Sequence, residues 1–336
     1  MKRLAAVLFV AFAVAGCGEK REAVNPSTGH SQSLTLMLDW YPNADHIGIY
    51  QALAAGDFAR AALDVHVRVP GDPALPLKLL AAGKVDVAIS YEPEVLLARN
   101  LGLPLVSVAA IVQEPLTSIV SVGSAHIRSV ADLRGKKVGD AGIPYQHAYL
   151  ETILAQAHVP PSSVTEINVG TNLVPAMVSG RVAATLGAYW NYEAIQLVRA
   201  RKHPHVIRVN QAGVPNYDEL VVVVRKGTLI DHPDEIRRFV QALARGYASA
   251  RANPEAAVAN LTSANPAAGL DPKLQLDSVR ATLQAFFPST PGQPWGWQDP
   301  TQWNAYGAWM LREHLISNPG AVVAASTNEL LAGQGI

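Results

Sequence analysis

Three short segments gather aromatic, amide and carboxylate side chains just after apolar runs, and they carry most of the chemistry this sequence offers. In the first, Asp39-Trp-Tyr-Pro-Asn-Ala-Asp-His-Ile-Gly48, Pro42 and Asn43 break a strand and Asp45 is placed to cap the following helix. That leaves Trp40, Tyr41 and His46 at the carboxyl edge of a sheet. The second, Gly187-Ala-Tyr-Trp-Asn-Tyr-Glu193, sets Tyr189, Trp190, Asn191, Tyr192 and Glu193 together, a mixture that fills a core poorly. A flat heteroaromatic ligand would stack on such rings, with Glu193 accepting its N–H donors and Asn191 pairing with a ring nitrogen. The third, Gly139-Asp-Ala-Gly-Ile-Pro-Tyr-Gln146, precedes a helix, and its backbone N–H groups suit an anionic or carbonyl group. A plain strand-to-helix turn explains this third segment equally well. A lone Trp or His reads as packing, whereas aromatics clustered with a few polar partners are what ligand pockets contain.

Conventional catalytic signatures are missing from the sequence. It has no Gly-x-Ser-x-Gly elbow, no Walker A loop and no His-Glu-x-x-His. Its 10 His residues are scattered rather than spaced for a metal, and His203 and His205 flank Pro204 in what reads as a solvated loop. A single Cys in 336 residues excludes an internal disulfide, a Cys-based zinc site and an iron–sulfur cluster. With 27 Lys+Arg against 27 Asp+Glu and no basic block, nothing points to a nucleic-acid partner. A chain that is 49% hydrophobic and 16% charged is ordered, and its length suits two domains of roughly 150 residues or one large one.

The chain starts with Lys2 and Arg3, then an apolar stretch from Leu4 to Val14, then Ala15, Gly16 and Cys17. The stretch falls short of the about 20 apolar residues that span a bilayer, and it reads as a signal peptide over residues 1–16. Val14-Ala-Gly-Cys17 resembles the lipobox of bacterial lipoproteins, in which the cysteine is acylated and becomes the new N-terminus. Residues 17–33 are polar and aperiodic, a flexible tether. The expected protein is therefore held to a cell membrane by lipid on Cys17, facing the periplasm or the exterior.

Positioning the three segments falls to alternating elements. Strands are expected at Leu34 to Asp39, Leu63 to Val69 and Val85 to Ser90, with helices at His46 to Phe58, Leu75 to Ala82 and Glu92 to Leu101. A second series runs from Lys136 through a helix at Tyr145 to His158, a strand at Thr165 to Val169, a helix at Leu173 to Ser179 and a strand at Ala183 to Ala188. Glu219 to Arg225 adds a strand, and the Pro-punctuated remainder is mainly helical. This order builds mostly parallel sheets whose ligands lie beyond the strands' carboxyl ends. Residues 34–120 and 220–336 are expected to form one α/β lobe and 121–219 the other. The expected crossover strands are Thr117 to Gly123 and Leu220 to Arg225, so that the lobes close like jaws.

Leu38 to Tyr50, Gly83-Lys-Val-Asp-Val-Ala-Ile-Ser90, Val106 to Leu116, Leu133-Arg-Gly-Lys-Lys-Val-Gly139 and Tyr189-Trp-Asn-Tyr-Glu193 resemble the NMT1/THI5-like family. That family comprises thiamine-pyrimidine substrate-binding proteins and pyrimidine-precursor synthases. The resemblance implies a type II periplasmic binding protein fold and an ABC permease as partner, fed with hydroxymethylpyrimidine or formylaminopyrimidine. It sets Trp40, Asn43 and His46 on one wall of a cleft and Tyr189, Trp190, Asn191 and Glu193 on the other, with Tyr91 and Tyr145 as aromatic neighbours. The synthase branch uses a pyridoxal-phosphate lysine, a histidine four residues on and a cysteine-rich iron site. Here Ser90 and Glu94 stand at the aligned lysine and histidine positions and no cysteine cluster follows Gly213, so neither enzyme activity nor a cofactor is implied. Relatives also bind riboflavin or sulfonates. A sulfonate calls for Arg or Lys, which none of the three segments contains, whereas a flavin is flat and aromatic and stays as the alternative. A monomer is expected.

Overall fold

The computed structural model describes residues 31–334; the expected signal peptide, Cys17 and the tether up to His30 lie outside the described residues. Ten strands are present: β1 (Gln32–Met37), β2 (Leu63–Arg68), β3 (Val87–Ser90), β4 (Leu105–Val112), β5 (Thr117–Ser121), β6 (Lys137–Asp140), β7 (Thr165–Asn168), β8 (Ala184–Tyr189), β9 (His205–Arg208) and β10 (Leu220–Arg225). They form two five-stranded sheets of matching design, β2-β1-β3-β10-β4 and β7-β6-β8-β5-β9. In the first, β1 runs parallel to β2 and β3, while β10 is antiparallel to β3 and β4. In the second, β6 runs parallel to β7 and β8, while β5 is antiparallel to β8 and β9.

Residue patterns explain the placement. β2 alternates buried Leu63 and Val65 with exposed Asp64 and His66, as a strand at a sheet edge does. β3, β4 and most of β10 are apolar apart from Ser90 and Ser107 and are buried, because helices and the C-terminal segment cover both faces. The helix Pro233–Ala252 crosses the helix Ile47–Ala54 at a glycine pair. A Cβ on Gly246 would lie 2.1 Å from the carbonyl oxygen of Gly48, so the crossing admits no larger residue there.

Several expectations shift. Four of the five strands in each sheet run the same way, as expected, but each sheet is mixed because it takes in one strand running against its neighbours, β10 or β5. β1 starts at Gln32, where pairing to β2 begins, so Gln32 and Ser33 are strand rather than tether. Leu38 and Asp39 lie past the end of the strand. The helix expected from His46 to Phe58 is divided at Gly56, whose φ of 71° ends one helix before Asp57–Arg60 begins. Thr117–Ser121 and Leu220–Arg225 are sheet strands rather than crossovers. The chain passes between the sheets at residues 113–116 and 212–219, so the second lobe begins before residue 121. His205 opens the edge strand β9, not a loop, although its side chain is exposed.

One buried carboxylate fastens the two passages together. Glu219 accepts from the backbone N–H groups of Leu116 and Thr117 at 2.7 and 2.8 Å, from Thr117 Oγ1 at 2.9 Å, and from the hydroxyls of Tyr217 and Tyr189 at 3.0 and 3.2 Å. Burial pushes its carboxyl above the ordinary range, and the bonds from Thr117, Leu116 and Tyr217 pull it back.

Candidate functional site

A cleft with about 500 Å³ of atom-free space lies between the sheets, at the carboxyl ends of β1, β3, β6 and β8. That is the location expected for ligands on such sheets. Most of this space is continuous with solvent or too narrow for a molecule, and room for water-sized molecules amounts to about 30 Å³, so the walls stand close together. Trp40, Asn43, Tyr91, Tyr145, Tyr189 and Glu193, all expected from the sequence, line it. The other three expected residues, His46, Trp190 and Asn191, do not.

The first wall is built by a short loop after β1. Asn43, not Asp45, caps the turn Ala44–His46: its Oδ1 accepts from Asp45 N at 2.8 Å, and its own N–H donates to His46 Nδ1 at 3.2 Å. With Nδ1 accepting, the His46 ring proton sits on Nε2 and donates to Asp39 Oδ1 at 2.8 Å. Asp39 Oδ2 in turn accepts from the Tyr91 hydroxyl at 2.8 Å. His46 is thus fully buried behind the wall, where it orients Asp39 and, through it, Tyr91. Tyr91 meets Tyr145 edge-on, their ring centroids 6.2 Å apart.

The second wall comes from the end of β8. Glu193 Oε2 accepts the backbone N–H of Tyr189 at 2.8 Å. Burial pushes the Glu193 carboxyl up to about 7, against the pull of the Tyr189 N–H. Trp190 faces away: its indole donates to the Pro115 carbonyl at 3.0 Å, and Arg208 stacks 4.0 Å above its ring. Asn191 is fully buried behind the wall, donating to Asp45 Oδ1 and Thr282 Oγ1, each at 2.7 Å. Nearby, Gln275 donates to the Tyr192 hydroxyl at 2.9 Å and Arg199 pairs with Asp277 at 2.7 Å. These contacts join the end of β8 and the helix Glu193–Arg199 to the helix Pro272–Thr282, which packs on the turn Ala44–His46 of the first wall.

Among the polar and glycine positions of the cleft, sequence reasoning did not assign Asp39, Asp45, Thr117, Gln146 and Gly187 to binding and named Tyr192 only as part of its cluster. All but Thr117 stand inside the three segments, so the signal was present; side-chain direction was not. Gln146 begins the helix Gln146–Gln156, and its Oε1 accepts from Ala141 N at 2.8 Å. Opposite it, Gly187 has φ of +100°, and a Cβ there would lie 2.3 Å from Gln146 Nε2.

The cleft lining holds Asp39, Asp45 and Glu193 and no Lys, Arg or His. Such a surface repels anions and favours a ligand rich in N–H or O–H donors. No group of three or more His, Cys, Asp or Glu suited to a metal occurs among the described residues.

Two mixed sheets joined by two passages, with a cleft at their strand ends, are the fold of a type II periplasmic binding protein. The alkanesulfonate-binding protein SsuA of Xanthomonas axonopodis pv. citri shares this fold, with a TM-score of 0.67 over 88% of this chain and 98% of that one at 15% identity. The NMT1/THI5 like family matches residues 43–257, and the chain belongs to that family. A formylaminopyrimidine-binding protein of Halalkalibacterium halodurans is 32% identical over 94% of both chains. A Haemophilus influenzae protein ascribed to thiamine biosynthesis is 37% identical over 70% of this chain and 74% of its own. The protein is a substrate-binding protein rather than an enzyme. Ser90, expected from the resemblance to stand where the synthases carry their lysine, donates to Glu94 Oε2 at 2.8 Å.

Proposed function

We propose that this protein captures a thiamine pyrimidine precursor, formylaminopyrimidine or hydroxymethylpyrimidine, outside the cytoplasmic membrane and hands it unchanged to an ABC permease. It does so as a monomer anchored through lipid on Cys17. The observation that carries this reading is the cleft itself, which combines tyrosine and tryptophan faces with buried carboxyls and carries no cation. The pyrimidine lies among Trp40, Tyr91, Tyr145 and Tyr189, and its amino group donates to Glu193. Stacking on two faces contributes about 1–3 kcal/mol and a hydrogen bond to a charged acceptor about 1.5–3 kcal/mol. Asn43 fixes the loop that carries Trp40. His46 acts through Asp39, while Trp190 and Asn191 support the wall and the lobe contact rather than touching the ring. A relative of this length that is named for binding formylaminopyrimidine supports the same assignment.

The deciding experiment is calorimetry of the purified protein with 4-amino-5-hydroxymethyl-2-methylpyrimidine and with riboflavin. Heat of binding from the pyrimidine alone is expected. Tight riboflavin binding without any pyrimidine signal would transfer the assignment to the flavin.

A further inference from the structure

We propose that Asp45 is a second specificity-determining carboxyl, accepting a hydrogen bond from the donor group on the ligand substituent that neighbours its ring amine. This rests on the aminopyrimidine reading and goes beyond it by assigning the ligand's other polar edge. Asp45 lines the cleft, and the residue is only 1% exposed. Its Oδ1 is taken by Asn191 at 2.7 Å, while its Oδ2 has no hydrogen-bond partner among the described residues. A carboxylate oxygen deprived of both water and protein donors is costly to keep, and a cleft wall is where a ligand donor relieves that cost.

The surroundings sharpen the inference. Burial, joined by the nearby Asp39, Glu193 and Glu219, holds the Asp45 carboxyl well above its ordinary range, with only the Asn191 bond opposing. No Lys, Arg or His lines the cleft to offset those acids, so a ligand donor reaching Oδ2 is what would favour the ionised, accepting form of Asp45 over the neutral one that burial favours. Glu193 stands on the other wall and already takes the amino group. Asp45 is fixed against lateral drift, because the Tyr247 hydroxyl donates to its carbonyl at 2.6 Å and Asn43 Oδ1 holds its N–H. Two carboxyls on opposite walls therefore fit a ring with donors on two neighbouring substituents, such as an amine beside a hydroxymethyl or formamidomethyl group. A phosphate ester at that substituent would replace the donor with negative charge facing an acid, so the unphosphorylated compound is selected.

The test compares 4-amino-5-hydroxymethyl-2-methylpyrimidine with 4-amino-2,5-dimethylpyrimidine, which lacks the hydroxyl donor, by calorimetry on the intact protein and on Asp45→Asn. The asparagine keeps an acceptor for Asn191 and turns its amide nitrogen toward the ligand. The wild type is expected to prefer the hydroxymethyl compound by about tenfold to hundredfold, and Asp45→Asn to lose that preference. Equal binding of the two pyrimidines by the wild type overturns the inference and leaves the pyrimidine reading standing. It does so even if Asp45→Asn fails to fold. A folded Asp45→Asn that keeps the full preference overturns it as well. Failure of both pyrimidines to bind the wild type sinks the reading beneath it instead.

Discussion

Gly187→Ala is the substitution whose cost can be worked out most directly. Two separate penalties arise at this position. The first is backbone: at φ of +100° an alanine occupies a region L-residues avoid, at about 1–3 kcal/mol. The second is a collision, because the new methyl group would stand 2.3 Å from Gln146 Nε2 and 3.1 Å from its Cδ. Gln146 must swing away, and the Ala141 N–H then loses the acceptor it holds at 2.8 Å, a further cost of about 1–3 kcal/mol for a buried donor. Together the loss is about 2–6 kcal/mol, read by urea denaturation followed through tryptophan fluorescence. Gln146→Ala removes the object of the collision, so in that background Gly187→Ala should cost only the backbone part. A double-mutant cycle should therefore return a coupling of about 1–3 kcal/mol. Additivity within about 0.5 kcal/mol would refute the packing argument and leave backbone strain alone as the cause.

Glu193→Gln should weaken aminopyrimidine binding by about tenfold to hundredfold, while Trp40→Tyr, which keeps an aromatic face, should cost much less; equal losses in calorimetry would contradict the hydrogen-bond assignment. The same substitution tests the pH dependence of stability. Glu193 is raised from 4.5 to about 7 by burial, so the folded state holds a proton that the unfolded state releases above 4.5. Its contribution is present below pH 4.5 and lost as pH rises through 7, so stability should fall over that window by up to about 3 kcal/mol more in the wild type than in Glu193→Gln. Parallel denaturation curves at pH 5 and pH 8 would contradict it. Glu219→Gln leaves fewer acceptor sites for five donors and should destabilise by about 2–4 kcal/mol in urea, with no change taken as evidence against the clamp. Radiolabelled palmitate should enter the wild type and not Cys17→Ala; equal labelling of both removes the anchor.

Alternation and apolar runs were legible because both periods follow directly from which face is buried. Hence β2, β3 and β10 lie where the sequence set them, within two residues. The passages between lobes were not legible, since Thr117–Ser121 and Leu220–Arg225 read as apolar strands whether they link two sheets or belong to one. Six of nine expected binding residues line the cleft. His46, Trp190 and Asn191 share their segments but turn to Asp39, Pro115 and Asp45, and such directions depend on partners distant along the chain. Asp45 looked like a helix cap because its spacing suited one, and only the loop's actual turn gave that task to Asn43.

Glu219 also fixes how the jaws can move. Because it welds residues 116 and 117 to 217, the two linking segments cannot slide past one another, and any opening must be a rotation about that pin, absorbed by the flanking stretches around 113–115 and 212–216. Its bond to Tyr189 reaches from the axle to the cleft wall itself, so any displacement of that tyrosine pulls on the pivot directly.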